Sequence, residues 1–313
     1  MHPDAPPSDA DADQQGPSEL DRALARWADR VRANREQVDR FREVPDGADF
    51  YAPVTAQFRA DPGRANDAQL ESLLALARRD ETWLDIGAGA GRFALPLARH
   101  VRRVIALDPS AGMLAALGEA MADHGIDNID IRQGRWPGAW EEGDAAGDPL
   151  AADVALLAHV GYDIEWIGPF LDAMEACAGR LCVALLMDRQ PSATVDVFWP
   201  AVHGEPRIDL PGWREFVEVL RLRGRAPDIE EVSRARRAFG SVDDVAAFAR
   251  RNLWLAPGSE KDRRLRDVAA ERAIRGPDGW YLEAEDPPVA VVTWVPRHRP
   301  GPGGPRGGNE AEA

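Results

Sequence analysis

The chain has 313 residues, 44% of them apolar and 29% charged. At roughly 150 residues per domain this predicts about two domains, or one large domain with appendages, and it excludes a wholly disordered chain or a small disulfide scaffold. Lys and Arg number 38 against 53 Asp and Glu, a formal charge of −15, and such a field repels phosphate backbones, which disfavours general nucleic-acid binding.

Lys261 is the only lysine. The arginine excess matches the wealth of Ala, Gly and Pro and reads as compositional bias. Cys177 closes a helical pattern and Cys182 opens an apolar run. Both read as small buried hydrophobes, in keeping with a reducing cytoplasm. No run reaches the roughly 18 apolar residues of a membrane span, and the first residues lack the basic-then-apolar order of a signal peptide. The expected location is therefore cytoplasmic, without membrane association. The histidines are scattered and the two cysteines offer no metal-ligand spacing, so no metal is expected.

Residues 1–17 lack periodicity and large apolar side chains and read as a disordered leader. Ser18 is a helix N-cap, although Asp21 stands where a full capping box has a longer acid or amide. Leu20, Leu24, Trp27, Val31 and Val38 then recur at helical spacing up to a turn at Pro45-Asp46-Gly47, and Leu70–Leu76 mark a second helix. Residues 18–80 thus form an N-terminal helical cap.

From Thr82 short apolar runs alternate with helical patterns. Strands are expected at Trp83–Ile86, Val104–Leu107, Ile129–Ile131, Val154–Leu157 and Leu181–Met187, with helices at Phe93–Arg99, Met113–Met121 and Ile164–Cys177 between them. Five strands joined by crossovers argue for a doubly wound α/β fold, a mostly parallel sheet with helices on both faces, over residues 81–190. Residues 191–296 read as a substrate-side insertion. It has an aromatic and Pro-rich stretch to Gly212, helices near 213–223, 241–254 and 259–274, and a closing hairpin of Trp280–Ala284 with Val289–Val295. A tail at 297–313 reads as disordered.

The informative segment is Thr82-Trp83-Leu84-Asp85-Ile86-Gly87-Ala88-Gly89-Ala90-Gly91-Arg92. A buried strand feeds a loop with glycine at every second position, and a helix follows. Such a loop lets a ligand approach the backbone beside unpaired helical N–H groups. Counting from Gly87, the sixth position is Arg92, which breaks the dinucleotide fingerprint, and no Gly-Lys-Ser/Thr follows, which excludes a P-loop. Asp85, two residues before the first glycine, would repel a pyrophosphate and suit a ligand with an ammonium group.

The segment LDIGAGAGR resembles the first motif of the class I S-adenosylmethionine-dependent methyltransferases, over about residues 80–190. The resemblance implies their seven-stranded type of sheet and S-adenosylmethionine as cofactor. By the same resemblance Asp85, Gly87, Ala88, Gly89 and Gly91 hold its methionyl end, Asp108 at the end of the second strand receives both ribose hydroxyls, Met113 and Leu114 line the adenine side, and Pro109, which starts the next helix, belongs to the same cofactor site. Many members carry an acid after the third strand. This chain has Gly134-Arg135-Trp136 there, so the Gly134 backbone and the Trp136 ring are the substitutes, with a core role the alternative for Trp136.

The loop Ala158-His159-Val160-Gly161-Tyr162 lies, by that resemblance, beside the sulfonium. His159 is then a general base, a cofactor-pocket wall or a structural histidine, and Tyr162 divides the same way. The Asn-Pro-Pro-Tyr/Phe signature of base and amide methylation is absent from the loop. Phe50, Tyr51, Phe58 and the stretch Phe198–Arg207, with His203, are expected either to cover a small hydrophobic acceptor or to pack as linker. Residues 214–275 hold 15 basic and 11 acidic side chains, a solvated face or a site for an anionic acceptor. The expected function is methyl transfer to a small molecule. The alternatives are RNA or protein methylation through the basic insertion, and a non-catalytic scaffold that only binds the cofactor.

Overall fold

A computed structural model describes residues 16–45, 61–138, 150–282 and 287–297. Phe50, Tyr51, Phe58, most of the leader, the tail and part of the Pro45–Gly47 turn lie outside them.

Helix α1 (Glu19–Phe41) starts with a closed capping box. Ser18 Oγ accepts the Asp21 N–H at 3.1 Å, and the Asp21 carboxylate accepts the Ser18 N–H at 3.0 Å. The shorter acid reaches after all, and the box is complete. Helix α2 (Ala68–Leu76) is capped by Asp67, whose Oδ1 accepts the Leu70 N–H.

The expected strands appear as β1 (Thr82–Ile86), β2 (Arg103–Asp108), β3 (Ile129–Gln133), β4 (Ala152–Ala158) and β5 (Ala178–Leu186). They are joined through α3 (Ala94–Ala98), α4 (Ala111–His124) and α5 (Ile167–Cys177). Two further strands, β6 (Asp228–Ser233) and β9 (Pro288–Trp294), complete a seven-stranded sheet of order β3-β2-β1-β4-β5-β9-β6. The first five strands are parallel, and β9 runs antiparallel to both its neighbours. Because successive side chains leave opposite faces, each strand feeds two cores. Leu84, Ile105, Leu157 and Ala184 pack with Trp27 of α1, Phe170 of α5 and Phe216 of α7 (Trp213–Leu222). Trp83, Val104, Leu156 and Val183 pack with Leu73 of α2, Leu97 of α3 and Leu117 of α4.

The closing hairpin is corrected. Trp280 lies in β8 (Gly279–Tyr281), which pairs with β7 (Ile274–Gly276) in a separate two-stranded ribbon, while β9 enters the main sheet between β5 and β6. Its partner on that side, β6, reads DIEEVS and escaped detection. Only Ile229 and Val232 are apolar there, and as an edge strand it buries little of either face.

The remaining elements are a 3₁₀ segment (Pro191–Phe198), α6 (Trp199–His203), α8 (Val242–Asn252) and α9 (Glu260–Arg272). They share a third core of Val195, Phe198, Trp199, Val202, Val245, Ala249, Leu265 and Ala269. The stretch offered as a lid is therefore packed in part. Trp199 is buried and the Arg207 guanidinium lies 4.0 Å above its ring. No helix among the described residues is long and apolar enough to cross a membrane. Cys182 is buried, Cys177 is partly so, and both are free thiols.

Candidate functional site

The carboxyl ends of β1, β2 and β4 bring the expected residues together. Leu107 O accepts the N–H groups of Gly87 and Ala88 at 2.8 and 3.0 Å, which lashes the glycine loop to the end of β2. Gly87, Gly89 and Gly91 all have positive φ, at 78°, 55° and 84°. Their missing side chains serve different ends. A Cβ on Gly87 would stand 2.9 Å from Val160 Cγ1, so this glycine lets the loops after β1 and β4 touch. One on Gly91 would stand 2.5 Å from Leu117 Cδ1, so this glycine seats the loop on α4. At Gly89 a Cβ would meet nothing within 4 Å among the described residues. That position opens onto free space, as a cradle for a ligand must.

Two carboxyl groups stand at this cradle. Asp108 accepts the Gly89 N–H through Oδ2 at 2.9 Å and the Ser110 N–H through Oδ1 at 2.8 Å. A carboxylate held this way presents its oxygens in a fixed orientation, which suits a bidentate contact with hydroxyl donors. Ser110 Oγ in turn accepts the Met113 N–H and caps α4, so the Asp108-Pro109-Ser110 turn has a fixed shape. Asp85 is 2% exposed, and its carboxyl has no hydrogen-bond partner among the described residues. Burial, with the Asp108 charge adding to it, pushes its carboxyl up to about 7. A buried carboxyl of this kind is made comfortable by an arriving ammonium. Asp85 and Asp108 therefore suit the ammonium and the ribose of the expected cofactor, and the Gly89 opening suits its approach.

Gly134 joins this group, since its N–H donates to Asp108 O at 3.1 Å. Met113 is buried at the first turn of α4, and Pro109 is exposed. Arg135 is exposed, and Trp136 leans edge-on against Phe170 of α5 with centroids 6.5 Å apart. Trp136 thus packs on the first core, the alternative left open for it.

His159 adopts a left-handed φ of 58° directly after β4, and its N–H donates to Leu185 O of β5. Its Nε2 lies 2.5 Å from Gln69 Oε1. A carbonyl oxygen only accepts, so Nε2 carries the proton and Nδ1 keeps its lone pair. Nδ1 is buried without a partner among the described residues. Burial, followed by the charges of Arg234 and Arg92, lowers the imidazole to about 3, with Asp67 opposing. A ring so reluctant to take a proton is a poor general base near neutral pH. Tyr162 is buried and its hydroxyl accepts the Met187 N–H at 2.8 Å; burial pushes the phenol further from ionisation. That hydroxyl joins the β4 loop to the end of β5 and is a structural contact.

Several residues around His159 carried no signal in the sequence. Gln69 is 1% exposed on α2. Asp67 accepts Arg64 Nε at 2.8 Å and Arg92 Nη2 at 3.1 Å. Both guanidiniums face the Phe93 ring, at 5.6 and 5.3 Å, and that ring lies 6.3 Å from His159. Only the position of Arg92 beside the glycine motif could have drawn attention to it. No metal-holding group of His, Cys, Asp and Glu occurs among the described residues. A cavity of about 340 Å³ between α1 and α5, lined by Leu24, Ala28, Trp166 and Pro169, contains none of these site residues.

Residues 84–160 match the family model described as a methyltransferase domain. An uncharacterised protein of Haemophilus influenzae is 37% identical over 86 residues, 28% of this chain and 32% of that protein. A tRNA/tmRNA (uracil-C(5))-methyltransferase of Pseudomonas aeruginosa is 30% identical over 103 residues, 33% of this chain and 28% of the enzyme. The chain thus spans under a third of the length of either relative. Among solved structures, YcgJ of Bacillus subtilis is 12% identical, covering 72% of this chain and 95% of its own, with a TM-score of 0.47. A SAM-dependent methyltransferase of Aquifex aeolicus is 17% identical, covering 58% and 92%, with a TM-score of 0.43.

Proposed function

We propose that this chain, whose residues 84–160 match the model of a methyltransferase domain, is a class I S-adenosylmethionine-dependent methyltransferase that moves a methyl group from that cofactor to a small-molecule acceptor. The observation that carries the reading is the pair of carboxyls at an open glycine cradle. The Asp85 carboxyl is buried without a hydrogen bond among the described residues, and Asp108 is fixed in orientation by two backbone donors.

When bound, S-adenosylmethionine supplies a sulfonium methyl; the acceptor atom bonds to that carbon as the carbon–sulfur bond breaks, sulfur keeps the pair, and any acceptor proton passes to water. The chain's own residues bind and align. Asp85 gives up its proton and faces the ammonium, Asp108 accepts from the ribose hydroxyls, and the loop from Gly87 to Gly91 lies along the methionyl part. Pro109, Met113 and the Gly134 backbone border the base. His159, neutral and fixed by Gln69, forms the wall beside the methyl and offers Nδ1 as a hydrogen-bond acceptor to the incoming molecule. Alignment rather than proton abstraction is its contribution.

An RNA acceptor is the second reading, since the Pseudomonas relative is named for one. Against it stands the charge of −15, which repels a polyanion. Calorimetric titration with S-adenosylmethionine and S-adenosylhomocysteine tests the cofactor site. Micromolar affinity, about −8 kcal/mol, is expected for the wild type, with a loss of at least about tenfold in Asp108→Asn. Absence of binding by folded wild-type protein overturns the reading.

A further inference from the structure

The loop after β4 holds its histidine in one place and in one tautomer. His159 follows β4, whose Leu157 is in register with Ile86 of β1, and the next residue, Val160, packs against Gly87 of the glycine loop. The imidazole thus stands at the cradle, one residue from the contact between the two loops. Its left-handed φ of 58° is uncommon outside glycine, and such strain persists only where the surroundings enforce it. Here they do. The His159 N–H is pinned to Leu185 O at 2.9 Å, and Nε2 is pinned to Gln69 Oε1 at 2.5 Å.

Gln69 is the informative partner. Helix α2 buries it together with Leu70 and Leu73, and an amide in such a place costs free energy unless it bonds. The amide oxygen only accepts, so Nε2 carries the ring proton and Nδ1 keeps its lone pair. The amide is also uncharged. A carboxylate in its place would steady an imidazolium, whereas Gln69 leaves the ring a hydrogen-bond acceptor rather than a taker of protons. Nδ1 is buried with no partner among the described residues, a shortfall that an arriving donor would make good. The nearby groups that take protons more readily are engaged: Asp67 holds Arg64 and Arg92, and the Tyr162 hydroxyl holds the Met187 N–H.

This arrangement sorts acceptor atoms. A carboxylate or thiolate brings no donor for Nδ1 and sets its negative charge against that lone pair. A hydroxyl brings a donor, but its proton must pass to a base as the oxygen is methylated. An amine N–H donates to Nδ1 while the nitrogen's own lone pair stays free to face the methyl. The nitrogen must arrive uncharged, because an ammonium has no pair to give, and a weakly basic amine is already uncharged near neutral pH.

We propose that the methyl acceptor is the nitrogen of a weakly basic small amine, of the arylamine kind, oriented by its N–H bond to His159 Nδ1, with Gln69 as the positioning residue that keeps Nδ1 an acceptor. The amine nitrogen bonds to the methyl carbon as the carbon–sulfur bond breaks, and sulfur keeps the pair. The methylated ammonium so formed passes its extra proton to water. This inference rests on the methyltransferase reading above and names its acceptor atom.

The test uses the whole protein, S-adenosylmethionine with a ¹³C methyl, and a cell metabolite extract as the pool of acceptors. The ¹³C chemical shift of the transferred methyl tells whether it sits on nitrogen, oxygen, sulfur or carbon before the acceptor is identified. An N-methyl product is expected. In Gln69→Leu its rate of formation should fall at least about tenfold through lost alignment, with S-adenosylhomocysteine affinity kept. Nitrogen-15 NMR of the histidine rings should show His159 protonated on Nε2 in the wild type and as a mixture of tautomers in Gln69→Leu. Gln69→Glu, which keeps an acceptor oxygen at that place, should restore the tautomer and part of the rate, and it guards against a leucine variant that merely misfolds. Label only on oxygen, sulfur or carbon overturns the proposal. So does a Gln69→Leu protein that is less stable but keeps the wild-type tautomer and rate, since Gln69 would then only tie α2 to the β4 loop. A lack of any label, by protein that binds S-adenosylhomocysteine, overturns it as well. Failure to bind S-adenosylhomocysteine at all overturns instead the methyltransferase reading on which it rests.

Discussion

Replacing Asp85 by Asn separates two consequences of burying that carboxyl. Its ordinary value is 3.8 and its folded value about 7. Between those values the folded chain holds a proton that the unfolded chain has released. The stability contributed is therefore fully present below 3.8 and is lost as pH rises through about 7. At about 1.4 kcal/mol per unit the loss comes to about 4 kcal/mol, without discount for solvent because the residue is 2% exposed. Asparagine cannot ionise and escapes this loss, although a buried unpartnered amide takes back about 1–3 kcal/mol. Asp85→Asn should thus be about 1–3 kcal/mol more stable than wild type near pH 8, and no more stable near pH 4. Urea unfolding followed by tryptophan fluorescence measures both. The same proton governs the ligand: wild-type affinity for S-adenosylhomocysteine should fall by up to about tenfold per pH unit below about 7, and the variant should bind weakly at every pH. Equal stability of the two proteins near pH 8, or a wild-type affinity level from about pH 5.5 to 8.5, would refute the reasoning.

Gly89 and Gly91 should separate binding from folding. Gly89→Ala meets only the strain of its positive φ, about 1–2 kcal/mol, and is expected to keep the fold while losing at least about tenfold in cofactor affinity by calorimetry. Gly91→Ala adds a clash with Leu117 and Leu95, for a total of about 2–4 kcal/mol, seen as a lower urea midpoint. Arg225 and Glu175 form a buried pair whose Glu175 also accepts the Trp294 indole N–H. Arg225→Leu strands that carboxylate and should cost about 3–5 kcal/mol in the same unfolding experiment. His159 and His203 are lowered to about 3 and 4, chiefly by burial, so their imidazole NMR signals should stay neutral from about pH 8 down to pH 5. Both groups favour the folded chain above their ordinary value of 6.5, and that contribution is lost as pH falls toward 3–4.

The half of the molecule legible in the sequence is the half where one local signal sufficed. Buried parallel strands such as Val104–Leu107 are continuous apolar runs, and glycine at every second position has few other uses. Asp85, Asp108 and the glycines were readable for that reason. Strand β6 was not, because an edge strand rich in Glu230 and Glu231 alternates too weakly to stand out from a loop. The hairpin error has the same origin. A turn-rich Glu-Asp-Pro-Pro stretch joins two β-prone runs, yet the better partners for Val289–Trp294 lie about a hundred residues earlier on β5 and some sixty earlier on β6. Around His159 the missing knowledge was likewise tertiary. Asp67 and Gln69 sit at the start of α2 and Arg234 follows β6, both far in sequence from the loop after β4, and nothing in their own neighbourhoods marks them as companions of an imidazole.

The late entry of β9 has a consequence for how the chain is made. Until residues 288–294 leave the ribosome, β5 stands as a bare edge with its outward N–H and C=O groups unpaired, and β6 has no neighbour at all. The αβ core through Leu186 can collapse early on its sequential contacts, but its sheet stays open for the synthesis of roughly a hundred further residues. An open, apolar strand edge is a template for pairing with another chain. A nascent or truncated chain ending before Pro288 is therefore the form of this protein most exposed to self-association, whereas the finished sheet ends on the short, acidic β6.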